Sequence, residues 1–452
     1  MVRDALRRLP LERAVQISLV VTIVGATLGA GAILSWAHVG RELRWVGLFA
    51  LAASATGWAI ARGGAPRAGV AVAAFALAGL ALVSAAWSGD AQATFARGAS
   101  FALLIGAGTA LAWAATGRPD AIEAVLTGVL VAVAVVAVGG LVVLVLDPDR
   151  AVQAATAREG ARYQGLGGNP NTATMLLAVG MPLAAAAAAL GRPRVARAGA
   201  ALLLVVCAGS IAASGSRGAL LAGFGGLLVT AVAVPGTVRR RVAFGAAVVA
   251  ALAVAVAIGR IADPDPTATP NVAAAPAGPP VTGGRFLDAE QHARLEDDIG
   301  RPPFGVAADA TRRTLLGSSG RAEAWAWAIR QGLERPVAGF GFGREDKAFT
   351  DRIVDFNGDV PENSYVGLFL QLGAAGVAAF VVLLAVLARP ALRALRAPDP
   401  RVAALAAGTV GAVATALVLA FFQSYVYAAG NVAAAAVWTC AFMAAATEAP
   451  AS

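Results

Sequence analysis

Residues 121–146 read AIEAVLTGVLVAVAVVAVGGLVVLVL, and this stretch decides the class of fold. Glu123, near its start, is its only charged residue. A helix of this length crosses roughly 30 Å of hydrocarbon at about 1.5 Å per residue. A transmembrane β-strand would instead alternate apolar and polar residues over about ten positions. Because the run is continuously apolar, it predicts a transmembrane helix.

Similar runs recur along most of the chain. Of its 452 residues, 58% are hydrophobic and 14% are charged, whereas a soluble domain carries about 25% charged residues. We therefore predict an all-α polytopic membrane protein of about 12 transmembrane helices, with one large extracytoplasmic loop between spans 9 and 10. The predicted spans lie at 14–36, 44–62, 67–87, 98–115, 121–146, 170–190, 196–214, 217–235, 241–261, 363–388, 401–421 and 424–446.

The distribution of arginine predicts how this bundle is oriented. A formal net charge of +9 would suggest a nucleic-acid partner in a soluble protein. Here the arginines lie at the ends of apolar runs, so we expect the lipid bilayer as a partner and no nucleic acid. Arginine is concentrated on the side of the N-terminus. The positive-inside rule then predicts a multi-pass protein of the cell (cytoplasmic) membrane with both termini cytoplasmic and the long loop outside.

The cysteines and histidines give no sign of a bound metal. Cys207 and Cys440 both lie inside apolar runs, and the chain contains only two histidines. We therefore expect neither a disulfide framework nor a metal site, and we expect no cofactor.

The long loop divides the chain into three parts. Residues 1–261 carry spans 1–9, residues 262–361 form the extracytoplasmic loop, and residues 362–452 carry spans 10–12. The start of the loop, 262–284, is rich in Pro, Ala and Gly, which predicts a flexible linker. Its remainder, 285–361, is predicted to be largely helical.

One helix in this loop has a clear pattern. Residues 318–336 read SSGRAEAWAWAIRQGLERP, with Ser318 or Ser319 as the predicted cap and Pro336 as the predicted end. The apolar residues predicted to share one stripe are Ala322, Trp325, Ile329 and Leu333. The following GFGFG at 339–343 lacks the strand and the spacing of a dinucleotide-binding fingerprint. We expect it to form a turn packed on the membrane surface, followed by a short helix near 345–356.

Residues 214–218 read SGSRG and contain the first candidate for binding an anion. They place Arg217 at the predicted outer boundary of a span, where an arginine is costly unless it faces a cavity or an anion. A guanidinium binds phosphate through paired hydrogen bonds, and small neighbours such as Ser216 would let a bulky ligand approach. The alternative is an arginine whose side chain reaches up to the membrane interface.

Arg321, at the start of the loop helix, is the second candidate. A cation at this end opposes the helix dipole, so Arg321 should have an anionic partner. That partner is either a ligand phosphate or a carboxylate in a surface salt bridge, for which Glu323 and Asp346 are the nearest candidates.

Residues 361–365 read PENSY and re-enter the membrane from the predicted outer side. Glu362 is an acid at a helix N-terminus, where a carboxylate is favoured electrostatically, and Asn363 or Ser364 could cap the helix. The segment is therefore either a well-made helix start or a site in which Glu362 acts as a general base.

A similar choice applies to GNPNT at 168–172, at the start of span 6. Its residues Asn169 and Asn171 either form a turn and a helix cap or line a polar site next to a lipid carrier.

Together these segments resemble the O-antigen ligase and O-antigen polymerase (Wzy-C-like) superfamily of membrane glycan transferases. The likeness rests on GNPN at 168–171, SGSRGA at 214–219, the long segment from SGRAEAW to GFGFG at 319–343, and ENSYVGLFLQLGAAG at 362–376. Order, spacing and predicted side of the membrane all match. The resemblance implies a GT-C-like helix bundle.

The resemblance also implies a reaction. Members of the family transfer a glycan from a polyprenyl diphosphate carrier to an acceptor hydroxyl on the outer face of the membrane, without a metal. The acceptor can be a glycan, a lipid or a protein. Arginines hold the diphosphate, and by resemblance these are Arg217 and Arg321, supported by Ser216. A histidine at the start of the tenth span is taken as the base, and Glu362 stands in its place here, next to Asn363.

Three functions remain open at this stage. The first is an O-antigen ligase-like transferase, and the second is a surface-polysaccharide polymerase of the same superfamily. The third is a transporter or flippase of lipid-linked glycans, which would more often show internal repeats and broken helices in matched halves. A catalytically silent scaffold is a further possibility, because the usual histidine is missing.

Overall fold

The structure is a computed structural model that describes residues 2–31, 33–63, 67–154, 161–190, 193–234, 321–345 and 360–447. Within these ranges the regular structure is helical, apart from one antiparallel pair of two-residue strands, β1 (Val152–Gln153) and β2 (Arg162–Tyr163). The helices are α1 (Val2–Arg7), α2 (Leu11–Gly29), α3 (Leu34–Arg62), α4 (Ala68–Val83), α5 (Ala91–Ala115), α6 (Pro119–Leu146), α7 (Pro148–Ala151), α8 (Pro170–Ala189), α9 (Arg194–Ala213), α10 (Arg217–Ala233), α11 (Arg321–Gly332), α12 (Ser364–Ala394), α13 (Pro400–Leu419) and α14 (Ala434–Ala446).

The length and composition of these helices confirm the predicted class of fold. In the described ranges, nine helices are long and apolar enough to cross a membrane, and α10 and α14 are shorter apolar helices. The chain is an all-α polytopic membrane protein. The predicted span 241–261 and the predicted linker 262–284 lie outside the described residues.

Small residues let the helices approach closely, because helix association in a membrane depends on packing rather than on the hydrophobic effect. The contact between α10 and α13 shows this best. A Cβ on Gly226 of α10 would lie 2.5 Å from the Gly411 carbonyl oxygen, and a Cβ on Gly411 would lie 2.7 Å from the Gly226 carbonyl oxygen. The two backbones therefore touch where any side chain would force them apart.

Both ends of the described chain lie on the same face of the bundle. Arg3 of α1 donates from Nη2 to the Arg62 carbonyl oxygen at 3.3 Å. Near the other end, Arg67 donates from Nη1 to the Ala445 carbonyl oxygen at 2.6 Å. This face, which we call the termini face, also contains the ion pair of Arg401 with Glu123.

The opposite end of the bundle carries the predicted functional segments, and we call it the site face. It consists of residues 84–90, 161–171, 214–217, 337–345, 360–363 and 420–433, together with Arg321. Hydrogen bonds connect these segments to one another and to the helix ends beside them. For example, the Gly168 amide donates to the Ala30 carbonyl oxygen at 2.9 Å, and the Trp87 indole donates to the Ala338 carbonyl oxygen at 3.1 Å.

Helix α12 is broken at Gly373, whose φ of 61° and ψ of −160° are not helical. The loop after α11 fills the break. The amides of Phe340 and Gly341 donate to the carbonyl oxygens of Leu370 and Gln371, at 3.0 and 2.9 Å. The pairing satisfies backbone groups that a broken helix would otherwise leave exposed at membrane depth.

The GFGFG turn is therefore packed more deeply than predicted. It is inserted against α12 and the loop before α5 instead of resting on the surface, and Phe342 is 2% exposed. The Phe342 amide donates to Ser84 Oγ at 2.9 Å.

The prediction of which face of α11 is buried was wrong by one residue. Ala324 and Ala328 are fully buried and pack against Leu370 of α12. Ile329 and Leu333, which were predicted to pack, are 42% and 61% exposed. Small residues face α12 because the two helices approach closely, and the larger apolar residues lie outside this contact.

The last predicted span also begins later than expected. Apolar composition predicted a helix from 424, but residues 421–433 form consecutive turns and α14 begins at Ala434. Hydropathy alone could not detect this, because the irregular segment is itself largely apolar.

Replacing Gly226 by Leu should destabilise the bundle by about 1–3 kcal/mol or more, because a side chain there must enter the backbone of α13. The matched control is Gly225→Leu on the same helix, since a Cβ on Gly225 would meet nothing within 4 Å. Thermal unfolding of the purified protein in detergent should show a lower Tm for Gly226→Leu than for Gly225→Leu. Equal Tm values would contradict the close approach.

Candidate functional site

Glu362 immediately precedes α12 and has an unusual backbone. Its φ of 48° is the only positive value among the described non-glycine residues, and a side chain in this region costs about 1–2 kcal/mol. Contacts at three consecutive residues hold the strained turn. Trp325 donates to the Pro361 carbonyl oxygen at 2.8 Å, Arg321 binds the Glu362 carboxylate, and the Asn363 amide donates to Ser424 Oγ at 3.1 Å. Strain that is maintained in this way is characteristic of functional sites.

Arg321 and Glu362 form an ion pair, so two predicted site residues meet directly. Arg321 donates from Nε at 2.9 Å and also from Nη2, and both hydrogen bonds go to Glu362 Oε2. Glu362 Oε1 and Arg321 Nη1 make no hydrogen bond with the described residues. The two side chains are 17% and 29% exposed. The predicted anionic partner of Arg321 is confirmed, but it is Glu362, which lies 41 residues further along the chain.

Asn363 is confirmed as the cap of α12. Its Oδ1 accepts from the amides of Tyr365 and Val366 at 3.0 and 3.1 Å. A cap of this kind satisfies two of the amides that a helix start leaves free. Asn363 is itself buried, so the cap fixes the position of the neighbouring residue, Glu362.

The predicted asparagines near span 6 also lie on the site face. Asn169 caps α8, since its Oδ1 accepts from the Asn171 amide at 2.8 Å. Asn171 Oδ1 accepts from Arg162 Nη2 at 2.9 Å. The interpretation as a capped helix is therefore confirmed for Asn169, while Asn171 joins a larger polar cluster.

Arg162 joins two of the sequence motifs, although it belongs to neither of them and was not predicted. It lies on β2 and is 8% exposed. It donates from Nε to the Ser214 carbonyl oxygen at 2.7 Å and from Nη2 to Asn171. The GNPN and SGSRG motifs are therefore held side by side by one buried guanidinium. The pairing of β1 with β2 brings Arg162 to this position. A strand of two residues has no sequence pattern from which it could be predicted.

Arg217 is the first residue of α10 and is partly buried. Ser216 directly before it is buried, and its amide donates to Ser214 Oγ at 3.1 Å. Ser216 makes no side-chain cap bond to the helix, so its hydroxyl does not have the capping role that this position often has.

The segment 420–424 connects the Arg217 region to the Glu362 region. On one side, a Cβ on Gly218 would lie 2.8 Å from Cγ of Phe422, so the start of α10 packs directly on this ring. On the other side, Ser424 accepts from the Asn363 amide. Arg217 and the Arg321–Glu362 pair therefore flank the same short segment on the same face of the bundle.

A buried carboxylate, Glu345, lies beneath this surface and was not predicted. It is 5% exposed and accepts from Tyr427 OH at 2.6 Å, Ser424 Oγ at 2.7 Å and Gln371 Nε2 at 3.2 Å. Burial, and then the nearby Glu345 carboxylate, raise the pKa of Tyr427 well above its usual value. The phenol therefore stays neutral and remains a donor. The only signal for Glu345 in the sequence was its place two residues after the Gly-rich turn.

Comparison with known protein families finds a match for the central part of the chain. Residues 200–381 match the family model of O-antigen ligase. The chain is O-antigen ligase-like in this region. The match covers Arg217, Arg321 and Glu362, and it indicates glycan processing at a membrane by a protein of the ligase or polymerase kind. A search of the curated proteins finds no match.

The O-antigen ligase-like region does not contain the whole site face. Arg162 and the GNPN motif precede it, and Ser424 and Tyr427 follow it. Among the described residues, no three His, Cys, Asp or Glu side chains come together as candidate metal ligands. The described side chains of the site carry guanidinium, carboxylate, amide and hydroxyl groups.

Proposed function

We propose that the protein transfers a glycan from a polyprenyl diphosphate carrier to an acceptor hydroxyl, in the manner of an O-antigen ligase, at the outer surface of the cell membrane. The observation that carries the proposal is the Arg321–Glu362 pair at the strained start of α12. It combines a phosphate-binding group and a potential base on the face that also contains Arg217. The site face is then extracytoplasmic and the termini face cytoplasmic, as the arginine distribution favours.

The proposed step is a direct displacement. The acceptor oxygen forms a bond to the anomeric carbon of the donor glycan, and the bond from that carbon to the diphosphate oxygen breaks. Polyprenyl diphosphate leaves with the electron pair, and the hydroxyl proton goes to the carboxylate of Glu362. Glu362 Oε1 suits this role, because both hydrogen bonds from Arg321 go to Oε2.

The arginines would stabilise the charge that develops on the leaving diphosphate. Arg321 uses Nε and Nη2 for Glu362, and its Nη1 makes no hydrogen bond with the described residues, so the guanidinium has donors left for a phosphate oxygen. Arg217 supplies a second guanidinium at the start of α10, where the helix dipole also favours an anion. Asn169, Asn171, Ser216 and Asn363 support these groups through the turns and caps that position them.

A polymerase of the same superfamily would use the same groups with a growing glycan as the acceptor. A lipid-linked glycan transporter fits less well. Its hallmark would be broken helices around a central cavity, but the break in α12 at Gly373 is filled by the loop residues 336–341.

We expect Arg217→Ala and Arg321→Ala each to lower glycan transfer at least 100-fold, because each removes a cation from the departing diphosphate. The assay follows transfer from a purified polyprenyl diphosphate-linked glycan in detergent or vesicles, at equal protein levels. The control is Arg150→Ala, because Arg150 is an exposed arginine on the same side that pairs with Asp147. Normal transfer by both Arg217→Ala and Arg321→Ala would eliminate the diphosphate clamp.

Glu362→Gln should also be inactive, with a loss of about 10²–10⁴-fold in kcat, the usual contribution of a general base. Glutamine keeps an oxygen that can accept from Arg321 but cannot take up a proton at neutral pH. The Tm of this variant should therefore stay close to that of the parent. Transfer at the parent rate would show that Glu362 is not the base.

Deletion of the gene should distinguish the three functions. A ligase predicts that full-length lipid-linked glycan accumulates on the outer leaflet while the acceptor lacks it. A polymerase predicts accumulation of single repeat units instead, and a flippase predicts accumulation on the inner leaflet. Glycan composition and leaflet location, measured by mass spectrometry and by lectin access to intact cells, separate these outcomes.

A further inference from the structure

Glu345 is a buried carboxylate that the proposed reaction does not use. It receives three hydrogen bonds from neutral donors, namely the hydroxyls of Ser424 and Tyr427 and the amide of Gln371. Glu345 is 5% exposed, whereas the side chain of Glu362 is 29% exposed. A buried carboxylate with this many partners is costly to assemble and costly to disrupt.

The cluster is built into the packing of the bundle. On α12, Gly367 faces the carboxylate, and a Cβ there would overlap the Tyr427 hydroxyl and lie 2.5 Å from Glu345 Oε1. Gln371, one turn further on, also accepts from the Gly343 amide at 2.6 Å. Glu345 therefore lies where α12, the Gly-rich turn and the segment 420–433 meet.

One hydrogen bond in this cluster leads to the proposed active site. A carboxylate can only accept, so Ser424 must donate its single proton to Glu345 Oε1, at 2.7 Å. The lone pairs of Ser424 Oγ are then free to accept from the Asn363 amide, at 3.1 Å. Asn363 directly follows Glu362, whose backbone is in the left-handed region. The carboxylate fixes the direction of the bond from Ser424, and the backbone amide fixes the direction of the bond from Asn363. The bond to Glu345 holds the Ser424 hydroxyl in position between these two groups.

We propose that Glu345 is a positioning residue, which holds the hydroxyl of Ser424 in the place where it accepts from the Asn363 amide and so holds Glu362 in its strained orientation. The inference rests on the proposed function, because it assigns Glu345 a role through the proposed base. It assigns Glu345 no contact with donor or acceptor.

The test is a double-mutant cycle with Glu345→Gln and Ser424→Ala in the full-length protein. Each single variant should lower kcat for glycan transfer about 10- to 100-fold, the range expected for losing a hydrogen bond to a charged group, with the KM for the donor unchanged. The double variant should be no slower than the slower single variant, since both changes cut the same connection. Additive losses, or a change in KM alone, would overturn the proposal.

The Ser424→Ala variant also distinguishes loss of this connection from misfolding, because Glu345 keeps its bonds to Tyr427 and Gln371 in that variant. The matched control for Glu345→Gln is Glu334→Gln, an exposed glutamate in the turn after α11, which should transfer glycan at the parent rate.

A second measurement does not depend on catalysis. Hydrogen–deuterium exchange of the peptide containing residues 360–366 should be faster in Glu345→Gln and in Ser424→Ala than in the parent. Ser424→Ala removes the acceptor of the Asn363 amide, and Glu345→Gln removes the charge that holds this acceptor in place. Unchanged exchange in both variants would refute the positioning role even if transfer were lost. If the parent protein transfers no glycan while exchange in the Glu345 variant still rises, the proposed function fails and the structural connection stands.

Discussion

The site depends on the attachment of the first turn of α12 to the irregular segment 420–426. The Ser364 amide donates to the Ala420 carbonyl oxygen at 2.7 Å. Its hydroxyl donates to the Gln423 carbonyl oxygen at 2.7 Å and accepts from the Tyr425 amide at 3.0 Å. One small side chain thereby satisfies backbone groups in a segment that has no helix of its own. This attachment holds the turn with Glu362 against the segment that also touches the start of α10.

The same constraint explains why the irregular backbone is tolerated at this end of the bundle. Backbone amides and carbonyls cannot remain unpaired in an apolar environment. Side chains supply the missing partners: the Trp438 indole donates to the Val426 carbonyl oxygen at 2.7 Å, and Gln371 accepts from the Gly343 amide. Polar residues that look isolated within apolar sequence are therefore needed for folding as well as for chemistry. An irregular, fully bonded surface of this kind can present side chains in directions that a regular helix end cannot.

The sequence was sufficient to predict features that depend on local pattern. Continuous apolar runs predicted the membrane helices, and the dipole argument correctly required an anion beside Arg321. Asn363 was predicted as a cap because capping depends on adjacent residues. The features that were missed depend on contacts between distant parts of the chain. Arg162 and Glu345 become buried through tertiary packing, and the partner of Arg321 lies beyond the reach of any helix periodicity. The late start of α14 was missed because buried turns and buried helices have the same hydropathy.

A glutamate base such as Glu362 differs from a histidine base in where charge resides during the proposed reaction. A neutral histidine that takes up a proton becomes a cation itself. A carboxylate that takes up a proton becomes neutral, and its ion pair with Arg321 weakens at that moment. The positive charge of Arg321 then becomes available as the departing diphosphate gains negative charge. In both cases the base becomes more positive by one unit of charge when it takes up the proton. With Glu362 as the base, the resulting positive charge lies on Arg321. Arg321 and Glu362 would therefore act as a coupled pair, and the strained backbone that keeps them in contact would be part of the mechanism.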